Sequence, residues 1–407
     1  GATSYTGDGT SGAYIWGAHC HKSDLGGMVN NSATGDSYVP TTSSAVYLPR
    51  VGHHVYNGSA WVNEGVLHES EARTNLVTYS NDFTHSSWQK TNITVAANQT
   101  TGLDGTVSAT ELGATSTPTF SYCIATTAST TGTLSYFAKQ NTERFFVMVR
   151  GGYSSGDLAI FDLSNGTVSQ SPTYSGSSAH ITLMGDGWYR CSLQSSQSST
   201  ILGFSVSGSG TGMNTAPAGT LYVWGAQMEA GSTPSSYIPT SGSTVTRAAE
   251  TLTVPAANLP YSSTNMSIQM DGKMTYADKG QLYEVAHYFW NINSSNRIIS
   301  ALQTTGSFTG KPIFEQRANG VTNNVTGTNT DYSAGTNVPF NISARHGSTF
   351  LNGAHEGTAL TANTTPTALP DLSTTDLNLG YIFMGTIGKF RMWDEDLTDT
   401  GIAEAST

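Results

Sequence analysis

Apolar and polar residues alternate with a period of two along most of this chain, in runs of strand length. Phe145-Phe146-Val147-Met148-Val149-Arg150 and Leu158-Ala159-Ile160-Phe161-Asp162-Leu163 frame the glycines at 151 and 152 and read as adjacent antiparallel strands. Ser267-Ile268-Gln269-Met270-Asp271-Gly272-Lys273-Met274 alternates in the same way. Val55-Tyr56-Asn57-Gly58-Ser59-Ala60-Trp61-Val62 sets Asn-Gly between β-formers and predicts a hairpin with a type I′ turn, and Asn165-Gly166 predicts another tight turn. Ser175 to Ser178 and Ser195 to Thr200 carry no apolar residue and are expected as solvent loops. No helical repeat of ten or more residues is visible; Thr398 to Ala405 is expected to form a short terminal turn of helix. The fold class implied is all-β, a tandem of β-sandwich (jelly-roll) modules of which the first is partial.

A repeat sets the module length. Tyr14-Ile15-Trp16-Gly17-Ala18 returns as Tyr222-Val223-Trp224-Gly225-Ala226, and Ser37-Tyr38-Val39-Pro40-Thr41 returns as Ser236-Tyr237-Ile238-Pro239-Thr240, one domain length later. The second copy has a domain of sequence in front of it and the first only a few residues, so the chain is expected to begin inside a module. The expected division is 1–50, the end of a module; 51–72, a junction hairpin in which Trp61 staples two modules; 73–249, a complete module; and 250–407, a terminal jelly roll. Residues 243–257 hold no Gly-Ser linker, which implies abutted modules.

Only 11% of residues are charged and 44 of 407 are glycine, which suits hydroxyl-rich strands rather than solvent-exposed helices. A net charge of −11 argues against a broad grip on nucleic acid or an anionic membrane. No apolar run approaches the ~20 residues of a membrane helix, and no secretion signal is legible at Gly1. Cys20, Cys123 and Cys191 are an odd, widely spaced set that makes no disulfide framework; the last two read as small buried hydrophobes.

Six ordered segments carry a family resemblance: Arg73 to Phe83, Trp88-Gln89-Lys90, Ser135 to Lys139, Phe161 to Val168, Gly187 to Cys191, and Val223 to Glu229 continuing through Ser236-Tyr237-Ile238-Pro239 to Ala249. Together with the partial copy they resemble head-spike or tail-fibre modules of bacteriophages and gene-transfer agents. The resemblance implies a β-sandwich in a particle appendage, commonly a homotrimer, located on the virion surface among other virion proteins. The tail is similar to concanavalin A-like, laminin-G-like jelly rolls: Gly385-Thr386-Ile387-Gly388-Lys389-Phe390-Arg391-Met392-Trp393 matches the closing strand, Phe350-Leu351-Asn352-Gly353 a late hairpin, and Asn296-Arg297-Ile298-Ile299 an earlier one.

Candidate chemistry is sparse. No strand carries the paired carboxylates of a retaining glycosidase, and Asp394-Glu395-Asp396 reads as a solvated turn, so no catalytic residue is assigned. A saccharide needs an aromatic platform beside hydrogen-bonding amides or charges. Tyr288 and Trp290, with Asn293 and Asn296, are the candidates, while Tyr283 and Phe289 are assigned to the core by alternation. Arg317, Asn319, Arg345 and His346 are the next group to consider. His19 and His21 would share one strand face and could hold a metal ion on a three-fold axis; a module-to-module surface is the alternative. No cofactor is otherwise expected, structural calcium being the remaining option. The reading is a non-enzymatic spike or fibre protein that adsorbs to host cell-surface polysaccharide, without nucleic-acid binding or membrane insertion. The alternatives are a structural spacer of capsid or tail and a polysaccharide depolymerase.

Overall fold

The computed structural model describes residues 50–114, 121–152, 155–212, 219–308, 310–328 and 331–407. His19, His21 and the first copy of the repeat lie outside them. Among the described residues there is one α-helix, Thr398–Ala405, and the rest of the regular structure is almost entirely antiparallel strands.

Two very long strands, Tyr122–Gln140 and Trp188–Ser207, organise the complete module. They pair antiparallel from Trp188↔Lys139 to Phe204↔Cys123, with register shifts on either side of Ser199. Beyond one side of this break lie Gln89–Thr91, Phe145–Arg150, Asp157–Asp162 and Thr167–Gln170; beyond the other lie Ser178–Gly185, Thr220–Glu229, Val107–Ala114 and Ile93–Thr101. One ten-stranded sheet thus folds over on itself and closes around its own core. Tyr136, from one half, meets Phe146 and Phe204, from the other, at ring distances of 5.9 and 5.1 Å.

The bend needs special residues. A Cβ on Gly132 would sit 2.0 Å from the Glu229 carbonyl oxygen, so only glycine allows this approach. Register shifts leave ladder carbonyls without partners, and a buried carbonyl must find a donor. Arg150, fully buried, supplies donors: its guanidinium donates to Thr130 O at 2.8 Å and to Ser199 O, and at 3.2 Å to Ile201 O, which also accepts from Gly151 N at 2.9 Å. Ser195 to Thr200, expected as a solvent loop, is therefore the middle of a 20-residue strand, with Ser195 buried. Its hydroxyls serve the bend.

The two halves of the repeated signature touch each other. Trp224 packs on Tyr237 with centroids 4.6 Å apart, Gly225 takes a φ of +63° at the register shift, and Gln227 accepts from Ile238 N at 2.6 Å. Tyr237 and Ser80 share a 2.7 Å hydroxyl bond. Trp188 and Trp224 are packing residues.

The C-terminal sandwich has two sheets. The seven-stranded one runs Arg50–Val51, Val66–Glu69, Met384–Trp393, Asn265–Tyr276, Gly335–Gly347, Leu351–His355 and Thr358–Ala359. The six-stranded one runs Leu252–Val254, Leu377–Ile382, Val285–Asn293, Asn296–Gln303, Lys311–Ala318 and Val321–Thr326. Met266, Ile268, Met270, Phe340, Ile342, Tyr288, Trp290 and Phe314 fill the space between them.

The segment 50–69 does more than join modules, since two of its strands complete the seven-stranded sheet. Between those strands the hairpin His54–Tyr56/Trp61–Asn63 does not use the expected type I′ turn. Tyr56 pairs with Trp61 across four residues, and the Asn57 carboxamide accepts from Ser59 N and Ala60 N at 3.0 and 2.9 Å. Trp61 remains 58% exposed, with one edge against Gly185 of the complete module. The two sandwiches meet at a buried ionic cluster. Arg50 bonds Glu69 and lies 3.1 Å from Glu250, while Ser236, the first residue of the second repeated motif, donates to Glu69 through both N and Oγ at 2.7 and 2.6 Å. Burial works to raise the Glu69 pKa, but Arg50 and Arg247 outweigh it and hold the carboxyl below its usual range.

Candidate functional site

Alternation in the strand Val285–Asn293 is broken at His287, and beyond the break its phase is opposite to that read from the sequence. Tyr288 and Trp290 point inward and are fully buried, and Trp290 Nε1 donates to Thr375 O at 2.8 Å. They cannot form a platform. The cause is a paired irregularity: the register slips at His287, and opposite it Gly380 adopts a φ of +64°. A slip of one residue exchanges the two faces. Phe289, assigned to the core by sequence, comes out on the open face, where it lies 4.9 Å from the ring of Tyr381, itself 54% exposed. The signal was present in the polar neighbours: Asn291 and Asn293 share parity with Phe289, not with Trp290.

Strand register arranges this outer face in two lateral rows. One runs Asn378, Phe289, Ile299, Glu315, Asn324; the next runs Asn291, Arg297, Arg317, Thr322. Beneath the side chains, Ala286, Ile299, Ala301 and Ile313 form a small apolar cluster roofed by Tyr283, Phe289 and Ile382. Tyr283 OH donates to Glu315 Oε2 at 2.7 Å, Arg297 Nε donates to Glu315 Oε1 at 2.6 Å, and Arg297 Nη2 donates to Tyr283 OH at 3.0 Å. Burial and the bond to Glu315 push the Tyr283 hydroxyl up to about 12. Burial would lower the Arg297 pKa, yet the Glu315 bonds raise it above the ordinary value, and the guanidinium keeps its charge. Among the described residues, the carboxamides of Asn291, Asn324 and Asn378 have no side-chain hydrogen bond.

The remaining sequence-predicted residues separate into two groups. Asn293, Asn296, Arg317 and Asn319 gather at one end of this face. Asn319 N donates to Asn296 Oδ1 at 3.0 Å, Asn296 Nδ2 to Asn293 Oδ1 at 3.3 Å, and Arg317 Nε to Gly320 O at 3.2 Å. These amides chiefly hold two adjacent turns. Arg345 and His346 belong to the other sheet and form no site. Arg345 is bound to Asp396 and Asp399 at 2.5 and 2.8 Å and fixes the terminal helix; His346 is fully buried because it continues the inward parity of Phe340, Ile342 and Ala344.

A groove of about 520 Å³ lies on the seven-stranded side, lined by Glu64, Asp271, Lys273, Asn341 and Lys389 among others. Its lysines are already paired, Lys273 with Glu64 and Lys389 with Asp271 at 3.2 Å, and Glu356, also in the lining, accepts from Tyr332 OH and Asn341 N at 3.0 and 2.8 Å. Among the described residues no group of three or more His, Cys, Asp or Glu is placed to hold a metal ion, and no helix is long and apolar enough to cross a membrane.

The chain matches no family model and no curated protein. Solved structures similar to parts of it are sandwiches. A leech intramolecular trans-sialidase matches at 17% identity and a TM-score of 0.29, over 36% of this chain and 23% of that one. The CBM40 module of a Ruminococcus gnavus IT-sialidase matches at 12% identity and a TM-score of 0.28, over 36% of this chain and 84% of the module. Domains LG4-5 of the mouse laminin alpha1 chain match at 9% identity and a TM-score of 0.25, over 87% of this chain and 93% of theirs. The chain spans less than a quarter of the leech enzyme, and likeness at this level transfers no role.

Proposed function

We propose that the C-terminal sandwich is a non-catalytic glycan-recognition module, with the complete module as its rigid support. The observation that carries this is the outer face of the six-stranded sheet, where the Phe289–Tyr381 pair stands beside unpartnered carboxamides and an arginine row. Sugar rings offer an apolar face and a rim of hydroxyls, which this combination of groups complements. The described part of this face has one carboxylate, Glu315, already bonded by Tyr283 and Arg297, and this supports binding rather than double-carboxylate hydrolysis. The setting in our reading is a spike or fibre of a phage-type particle, a homotrimer adsorbing to host cell-surface polysaccharide. That setting rests on the ordered sequence segments of residues 73–249.

The test is a glycan array probed with the full chain and with Phe289→Ala and Tyr381→Ala. Both variants should lose about tenfold or more in retention, since covering one aromatic side chain contributes ~1.5–3 kcal/mol. Tyr381→Ala should keep the parent's thermal midpoint, whereas Trp290→Ala should lose about 3–5 kcal/mol of stability. Unchanged retention by both outer-face variants would remove this face from consideration.

A further inference from the structure

The outer face carries a net positive charge within a chain of net charge −11. In its second row Arg297 and Arg317 are direct cross-strand partners on the same side of the sheet. Like charges placed so are destabilising unless an anion answers both. Glu315, the carboxylate of the neighbouring row, is fully engaged by Tyr283 and Arg297. Arg317 keeps only its Nε bond to Gly320 O at 3.2 Å, and its two terminal nitrogens have no partner among the described residues. Lys311, on the same strand, adds a further cation 4.4 Å from the Phe308 ring. The face therefore has one guanidinium more than its own carboxylate can neutralise.

We propose that Arg317 binds the carboxylate or sulfate group of an acidic saccharide whose sugar ring rests on Phe289 and Tyr381. The proposal builds on the glycan reading and narrows it to anionic sugars. A planar guanidinium with two free terminal nitrogens matches the paired oxygens of either anion. Arg317 lies two strands across and one row along from Phe289, about 12 Å at ordinary strand spacing and rise, so a ligand longer than one ring is needed to reach both.

Matched pairs of oligosaccharides test this with the full chain: oligouronates against their methyl esters, and sulfated oligosaccharides against their desulfated forms. Binding should be confined to acidic members, and which pair responds identifies carboxylate or sulfate. Raising salt from about 50 to 300 mM should weaken it. Arg317→Gln should cost about ten- to a hundredfold, as expected for a charge-assisted bond, and Arg317→Lys should recover part of that loss. Equal binding of acidic and neutral partners, with Arg317→Gln unchanged but Phe289→Ala impaired, would overturn the acidic assignment and leave the glycan reading intact. No retention of any saccharide would overturn both.

Discussion

Arg150 at the bend of the complete module and His287 and His346 in the C-terminal core are all fully buried bases, yet their surroundings differ. The guanidinium donates to three carbonyls, two of which, Thr130 O and Ser199 O, the bulged ladder leaves open, and although burial lowers its pKa to about 10 it keeps its charge. The histidines have few partners. His287 bonds Ser300 Oγ through Nδ1 at 3.3 Å and leaves Nε2 without a partner, and neither nitrogen of His346 is bonded. Burial depresses both to about 3. A buried charge is tolerable where the backbone supplies its acceptors; otherwise a base stays buried only by remaining neutral. One module should accordingly depend on a cation and the other on its absence.

The largest effect expected from this contrast is at the bend. Arg150→Met leaves the carbonyls of Thr130 and Ser199 without donors and should cost about 4 kcal/mol, read as a fall in denaturation midpoint. A loss under about 1 kcal/mol would show that water replaces the guanidinium. Next comes acid. Both histidine pKa values lie below the ordinary 6.5, so between 6.5 and about 3 the unfolded chain binds protons that the folded sandwich does not. Their contribution is complete above about pH 6.5 and falls as the pH drops, by about 2 kcal/mol each between pH 7 and 5. Region-resolved hydrogen exchange at pH 5 should show strands within 265–393 losing protection before those within 122–207. Simultaneous loss would detach acid sensitivity from the histidines. The smallest effect is a rescue: His346→Leu should restore about 2 kcal/mol at pH 5 and flatten the pH slope by one proton. An unchanged slope would mean His346 stays neutral in both states.

Elements and the positions of hairpins were more legible in the sequence than turn types, faces and bends. Phe145–Arg150 and Asp157–Asp162 pair as their alternation implied, and Thr398–Ala405 is helical. Alternation gives a period but no origin, and the slip at His287 reversed the roles of Phe289 and Trp290; only the parity of the asparagines recorded which side met solvent. The bend was hidden for another reason. Ser195 to Thr200 has the composition of a loop, and what keeps it in a strand is a side chain distant in sequence, Arg150. The candidate site was half legible, since Asn293, Asn296, Arg317 and Asn319 do converge, while its aromatic half was assigned to the wrong residues.

The strand Val66–Glu69 also constrains how the protein is made. It emerges from the ribosome before the complete module, but its partner Met384–Trp393 is synthesised only after that module; His68 and its acceptor Gly380 O are 312 residues apart. The complete module can close as soon as its own strands exist, because they pair with one another. The seven-stranded sheet has to wait, its first strands an uncovered edge open to wrong pairing throughout elongation. Chains released before residue 384 would carry one finished sandwich and one that cannot close, and these are the products expected to aggregate during expression.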